Sequence, residues 1–286
     1  MLTPQPNASK PRLVERILAH IPPLSRTLRE APLPRDRQRA YREILLALLY
    51  GVVCHFLFAV AVIAMILGMW HGMSVGMGTL PSPLSWVANM ALIMQFPITH
   101  SLLLTRIGQR TLQRLAPFDA GTTLSTTTYA IIASAQLIAL FVLWTPSGVV
   151  YWSASGWSLW VMCTLYGLSW AFLVKASWDA GAEVQSGILG WMSLFRSVKP
   201  QYPPMPTKGT FKFIRQPIYL AFALTTWTVP TWTPDQLLLA STLTLYCALG
   251  PLLKERRFNQ RYQEEWLHYK SQTPYWFVLP WRLMKR

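Results

Sequence analysis

Residues 207–280 read TKGTFKFIRQPIYLAFALTTWTVPTWTPDQLLLASTLTLYCALGPLLKERRFNQRYQEEWLHYKSQTPYWFVLP, and the reading of this stretch decides the fold. Two apolar arms, about Ile218–Val229 and Gln236–Leu253, flank a Thr-Trp-Thr-Pro-Asp turn, and Asp235 is the one charge between Ile218 and Leu253. Pro217 suits the first turn of a helix, where its missing N–H has no intrahelical partner to lose. A basic turn, Lys208 to Arg215, leads into the first arm, and a strongly charged segment, Lys254 to Lys270, leaves the second. An apolar helical hairpin therefore delivers two polar, aromatic-rich segments to one end. That is a layout for a site at a membrane face.

The rest of the chain has the same character. It is 52% hydrophobic and 13% charged, with a mean hydropathy of +0.27. No Asp, Glu, Lys or Arg occurs from Ile44 to Leu104 or from Ala120 to Val174. A bilayer core takes about 20 apolar residues per helix, and in it only helices and closed barrels satisfy their own backbone. The pattern predicts an all-α, polytopic integral membrane protein with about six transmembrane helices and a C-terminal amphipathic helix. The spans are about Ile44–Met69, Leu84–Leu104, Thr126–Trp144, Trp157–Val174, Ile218–Val229 and Gln236–Leu253, the fifth being short. Residues 1–43 form a basic, Pro-rich arm with nine Lys/Arg against four Asp/Glu. Its Leu13–His20 segment is amphipathic, so the arm either stays partly ordered in the cytoplasm or attaches to anionic lipid.

Orientation follows from where the cations lie. All 26 basic residues fall in the arm, the 105–119 loop, the 175–215 segment and the C-terminal tail, and the loops near 70–83, 145–156 and 230–235 have none. Alternation of sides puts both termini in the cytoplasm. The formal charge of +15 is thus an orientation signal, not a nucleic-acid footprint. Cys54, Cys163 and Cys247 lie far apart inside spans, with no disulfide framework. His20, His55, His71, His100 and His268 show no metal-ligand spacing.

Chemistry concentrates at the hairpin's polar end. Phe258, Tyr262, Trp266 and Tyr269 recur at steps of four, four and three, which puts four aromatics on one face of a helix. Such a helix either lies in the interface or folds under the hairpin to wall a pocket. Glu255 needs a partner at the membrane boundary, and Arg215 enters from the same side. A bound cation beside an aromatic wall is favoured by cation–π attraction. His100, late in the second span, is polar in an apolar setting and needs a partner, which a hydrogen bond to a neighbouring helix supplies.

These residues resemble the isoprenylcysteine carboxyl methyltransferase superfamily, whose signature is an Arg-His-Pro-x-Tyr turn, a helical hairpin, then Glu-Glu and a Tyr-rich, Pro-terminated helix. The matching positions are Arg215, Pro217, Tyr219, Glu255, Phe258, Tyr262, Tyr269, Pro274 and Pro280. The upstream chain is similar to the bacterial methanethiol S-methyltransferase-like branch, in Gln95–Ser101, in TTTYAIIASAQLIALFVLW from Thr126, and in Thr228–Pro234. The resemblance runs from about Leu45 to Pro280. Gln216 stands where the family has His, Ala221 where it usually has Gly, Lys254 at the first Glu, Gln263 at a Gly and Trp266 at a Tyr. The branch's Asn-His-Phe-Asp stretch is not recognisable in Lys175–Gly187. Gln keeps hydrogen-bonding capacity but does not titrate near neutral pH.

The resemblance implies a membrane methyltransferase domain over residues 44–286, its cofactor part within 199–280, using S-adenosylmethionine on the cytoplasmic side of a bacterial inner membrane. Arg215, Gln216, Pro217 and Tyr219 with Glu255, Tyr262 and Tyr269 would hold the cofactor, Arg215 and Glu255 being the residues closest to the chemistry. A small-thiol or lipid-like acceptor would enter from the bilayer past His100. Two other readings stand beside this one: a nicotinamide-dependent isoprenoid- or sterol-type reductase, and a non-catalytic relative that binds a lipid or partner.

Overall fold

The computed structural model describes residues 37–276, with side chains from Tyr41. The N-terminal arm up to residue 36, with its Leu13–His20 segment, and Pro280 lie outside the described residues. Nine helices follow one another among the described residues: α1 Arg37–Trp70, α2 Leu84–Leu103, α3 Arg106–Leu115, α4 Gly121–Val142, α5 Gly156–Asp179, α6 Ala182–Gln185, α7 Ile188–Phe195, α8 Pro217–Trp227 and α9 Pro234–Gln272. A 3-10 turn covers Gly209–Lys212, and β1, Trp152–Ser153, pairs antiparallel with β2, Thr231–Trp232.

The chain is a multi-pass helical membrane protein. Four helices, α1, α4, α5 and α9, are long and apolar enough to cross a bilayer, or five if α2 and α3, bent by 92°, form one span. The expected six counted α8 as a full crossing. At 11 residues it rises only about 16 Å against a hydrocarbon core of about 30 Å. Pro230 explains why it stops, since the residue before a proline is driven out of the helical region. From Thr228 the chain is no longer helical, and its polar backbone is satisfied from within the protein, as a membrane interior demands. Tyr151 N donates to Trp232 O at 2.8 Å and Ala154 N to Pro230 O at 2.8 Å. Gln236 Nε2 donates to Thr226 O at 2.7 Å.

The three uncharged loops meet at one end of the molecule. Thr233 Oγ1 donates to Gly72 O at 2.5 Å. Asp235, 1% exposed, accepts from Trp144 Nε1 at 3.1 Å and from Ser147 N at 2.9 Å, and also from the Ser147 hydroxyl. Gly72, at φ +60, packs so tightly against the Thr231 carbonyl that a Cβ there would overlap it. The main core lies beneath, built of Met65, Met69, Ile93, Phe141, Trp144 and Leu243 with their neighbours. At the opposite, basic end a second cluster joins Leu46, Ala47, Ala116, Leu124 and Leu194. The sorting of basic and uncharged segments to opposite ends is thus a property of the fold.

The last helix differs from expectation in continuity. The sixth span and the C-terminal amphipathic segment form one helix, α9, which passes Leu253 unbroken and turns at Gln263. Gln263 has φ 42° and ψ −109°, a conformation open to glycine and strained for any side chain. Replacing Gln263 with Gly should therefore raise stability in detergent by about 1 kcal/mol, read as a higher midpoint of thermal unfolding, while Gln263→Val should lower it. Asp235→Ala should cost about 2–4 kcal/mol, because Trp144 Nε1 and Ser147 N would be buried without an acceptor.

Candidate functional site

Arg215 and Gln216 are the last residues before α8. Pro217, buried at the first helical position, keeps the residue before it out of the helical region, and Gln216 has φ −124° and ψ 53°. The turn is locked by the segment after α9: Arg215 N donates to Pro274 O at 2.9 Å and Gln216 N to Tyr275 O at 3.3 Å. With the backbone fixed, both side chains reach Glu255 on α9. Arg215 Nε donates to Glu255 Oε1 at 3.0 Å, and Gln216 Nε2 donates to the same oxygen at 2.9 Å. Gln216 is 1% exposed and Glu255 7%, so the carboxylate's charge is balanced by an ion pair and a second donor, as burial requires. Arg215 Nη1 also donates to the carbonyls of Thr273, at 2.5 Å, and Lys270, at 3.2 Å. Its guanidinium lies 5.9 Å from the Trp266 ring centroid and 5.6 Å from that of Tyr275. Tyr275 OH donates to Ala248 O at 2.7 Å. Burial, then the nearby Glu255 charge, pushes this phenol up to about 12, so it stays a donor at neutral pH.

The network continues through the other end of the Gln216 amide. Lys254 Nζ donates to Gln216 Oε1 at 2.9 Å. The ammonium stands in a cage of three rings, 5.6 Å from Phe211, 5.6 Å from Tyr219 and 5.4 Å from Phe258, within the range of cation–π attraction. Gln216 is thus a neutral bridge that donates to the anion and accepts from the cation. Two of the five departures from the signature, at 216 and 254, form one hydrogen-bonded unit.

The aromatic stripe on α9 folds inward. Phe258 meets Tyr262 and Trp266 edge-on at 5.6 and 5.7 Å, and Trp266 meets Tyr269 at 5.9 Å; Met205 packs on the group. Tyr269 OH donates to Phe211 O at 2.7 Å, tying α9 to the basic turn. That turn is held from its other side by Asp179, at the end of α5, which accepts from Thr210 N at 2.7 Å and pairs with Lys175. Gly209, at φ +61, lies against this carboxylate with no room for a Cβ. A cavity of about 300 Å³ beside the turn is lined by Trp178, Asp179, Glu183, Pro203, Met205 and Lys208.

Of the residues singled out in the sequence, Arg215, Gln216 and Glu255 are in direct contact, Pro217 sets their backbone, and Tyr219 joins through Lys254. Tyr262 and Tyr269 belong to the aromatic wall, where the Tyr269 hydroxyl is used within the fold. His100 stands one layer away, its ring 4.9 Å from Tyr129 and 5.0 Å from Phe96. Sequence reasoning missed Lys254 as a site member and missed Asp179, Tyr129 and Tyr246. The Lys254-Glu255 dipeptide was the available signal for the first; lone hydroxyls and a lone carboxylate offered none.

A buried Arg–Gln–Glu–Lys network at the basic end of a multi-pass helical membrane protein is the class that fold and site define. Comparison with known proteins agrees with the resemblance read from the signature. The chain is 26% identical over 234 residues to a methanethiol S-methyltransferase of a Pseudomonas species, covering 77% of this chain and 88% of that protein. It is 26% identical over 242 residues to methanethiol S-methyltransferase 1 of Bradyrhizobium diazoefficiens, covering 83% of each. Nurim of Rattus norvegicus is also similar, at 27% over 202 residues, covering 66% of this chain and 72% of that one. No family model and no solved structure matches the chain.

The bridge makes positions 216 and 254 interdependent. Gln216→Ala and Lys254→Met should each destabilise by about 1–3 kcal/mol, and the double variant by at least about 0.5 kcal/mol less than their sum. Thermal unfolding in detergent around such a cycle measures the coupling; strict additivity would show that the bridge contributes nothing.

Proposed function

We propose that this protein is a membrane-embedded, S-adenosylmethionine-dependent methyltransferase acting on a small thiol or a lipid-like acceptor. The observation that carries the reading is the Arg215–Gln216–Glu255 node set beside the aromatic cage, at the position where the resemblance expects the cofactor. The donor set suits that cofactor: Arg215 and Gln216 offer N–H groups to a carboxylate, Glu255 accepts from an ammonium, and the cage of Phe211, Tyr219 and Phe258 already accommodates a cation. Tyr262 and Tyr269 extend the wall on which the remainder would lie. The cofactor, when bound, supplies an electrophilic methyl group on a sulfonium. The residues' task is then positioning and exclusion of water. The relatives named methanethiol S-methyltransferase support a thiol as the acceptor, which would reach the site from the bilayer past His100. With the basic end on the cytoplasmic side of a bacterial inner membrane, both termini are cytoplasmic.

One observation favours a second reading. The cage that would receive a cation is filled by the chain's own Lys254, as suits a relative that binds without turnover. Calorimetric titration of detergent-purified protein with S-adenosylmethionine separates the two. Micromolar binding that falls at least tenfold in Glu255→Ala and in Arg215→Ala is expected, with circular dichroism showing the variants folded. Absence of binding by folded wild-type protein would move the second reading into first place.

A further inference from the structure

Lys254 joins the cofactor residues to a second polar cluster that has no part in the network so far. The Tyr219 ring lies on one side of the ammonium and is an electrostatic neighbour of Tyr246, whose hydroxyl lies 3.5 Å from Ser101 Oγ. Tyr129 donates to the His100 carbonyl at 3.4 Å, and its ring packs on the His100 imidazole. Four helices, α2, α4, α8 and α9, each give a polar side chain to this cluster. Nδ1 of His100 is buried without a hydrogen-bond partner among the described residues, which marks a place for a ligand group.

The charges around the cluster are one-sided. On α9, Lys254 is neighboured electrostatically by Glu255 and Arg257, and Arg257 also acts on His100, Tyr129, Tyr219 and Tyr246. Glu255 is engaged by Arg215 and Gln216. One carboxylate thus stands among three cations, Arg215, Lys254 and Arg257. Toward Tyr219, Tyr246, Tyr129 and His100 no acid appears among the groups named. Of the ammonium's three N–H groups, one is bonded to a side chain of the described residues, Gln216; the others are open to an acceptor.

We propose that Lys254 receives the methyl acceptor as an anion, holding a thiol in its thiolate form between the aromatic cage and the His100–Tyr246 cluster. This rests on the methyltransferase reading above. The chemistry requires it: a thiolate is a far stronger nucleophile than a thiol. The thiol proton leaves to solvent as the thiolate binds. A sulfur lone pair then forms the new S–CH₃ bond while the methyl–sulfonium bond breaks, its electron pair returning to the donor sulfur. The products are a methyl thioether, a neutral thioether and the released proton. Lys254 needs only to keep its positive charge. It stands where the signature has a carboxylate, which would oppose the same anion.

The test uses 4-fluorothiophenol as the probe and ¹⁹F NMR as the readout, since the shift reports the thiolate fraction without turnover. In detergent-purified wild-type protein, the bound thiol should titrate at least one pH unit below its value in Lys254→Met, a tenfold difference in ionisation. Lys254→Arg, which keeps the charge but cannot act as a base, should titrate like the wild type. Methyl transfer to the same thiol, at a pH below both titrations where the rate follows the thiolate fraction, should fall about tenfold in Lys254→Met and stay within about threefold in Lys254→Arg. Equal titration in all three proteins, failure of the wild type to bind the thiol, or Lys254→Arg behaving as Lys254→Met would each overturn the proposal. A wild-type protein that shifts the thiol's titration yet transfers no methyl group would support the anion site and remove the methyltransferase reading instead.

Discussion

A carboxylate buried at a membrane boundary must be met by donors, and Glu255 is that carboxylate. Leaving it unpaired would cost several kcal/mol, so everything that brings Arg215 and Gln216 to it is under constraint. Both come from one turn and approach the same oxygen, which demands that the turn be rigid. Its rigidity has two sources: Pro217 excludes helix before it, and the carbonyls of Pro274 and Tyr275 hold its N–H groups. The segment after α9 is therefore part of the node's construction, and the aromatic wall follows, since Trp266 and Tyr269 are what packs between that segment and the basic turn.

The same constraint explains how Gln216 and Lys254 fit together in one buried network. A lysine beside Glu255 and Arg215 adds positive charge to a buried group. Gln216 spaces the charges apart: its amide offers an oxygen to Lys254 and a nitrogen to Glu255 at once. The aromatic faces around the ammonium replace part of the hydration it has lost. Read one residue at a time, these look like lost functions. As a unit they form one hydrogen-bonded network in which Glu255 is the single carboxylate beside Arg215 and Lys254.

The membrane class, the hairpin, the sorting of basic and uncharged loops to opposite ends and the Arg215–Glu255 pair were legible because they rest on local signals: charge-free runs, a Pro at a helix start, cations grouped by loop. The α9 stripe was legible for the same reason, since a period of three to four survives wherever the helix ends. Three things were not. The run of α9 through Leu253 was hidden because charged residues propagate a helix as readily as apolar ones, so a change of composition does not mark an end. The break at Gln263 carries no glycine to announce it. Lys254 appeared as a missing carboxylate because the meaning of a charge depends on partners distant in the chain, such as Gln216, 38 residues away, and Tyr129 and Tyr246 were single hydroxyls within apolar runs.

The short α8 has a mechanical consequence. On one side of the hairpin, α9 climbs from Pro234 to Glu255 entirely as helix, about 1.5 Å per residue. On the other, the extended backbone is the short run of Thr231, Trp232 and Thr233, at about 3.3 Å per residue, and Thr228 then caps α8. The two arms are gauges of different pitch, and they must agree at the level where Gln216 meets Glu255. The extended segment is the coarse one: a residue added or removed there changes the chain's length by about 3.3 Å, more than twice the roughly 1.5 Å of a helix. The far end of the molecule, through the length of one unhelical stretch pinned by a two-residue ladder, sets the height of the site.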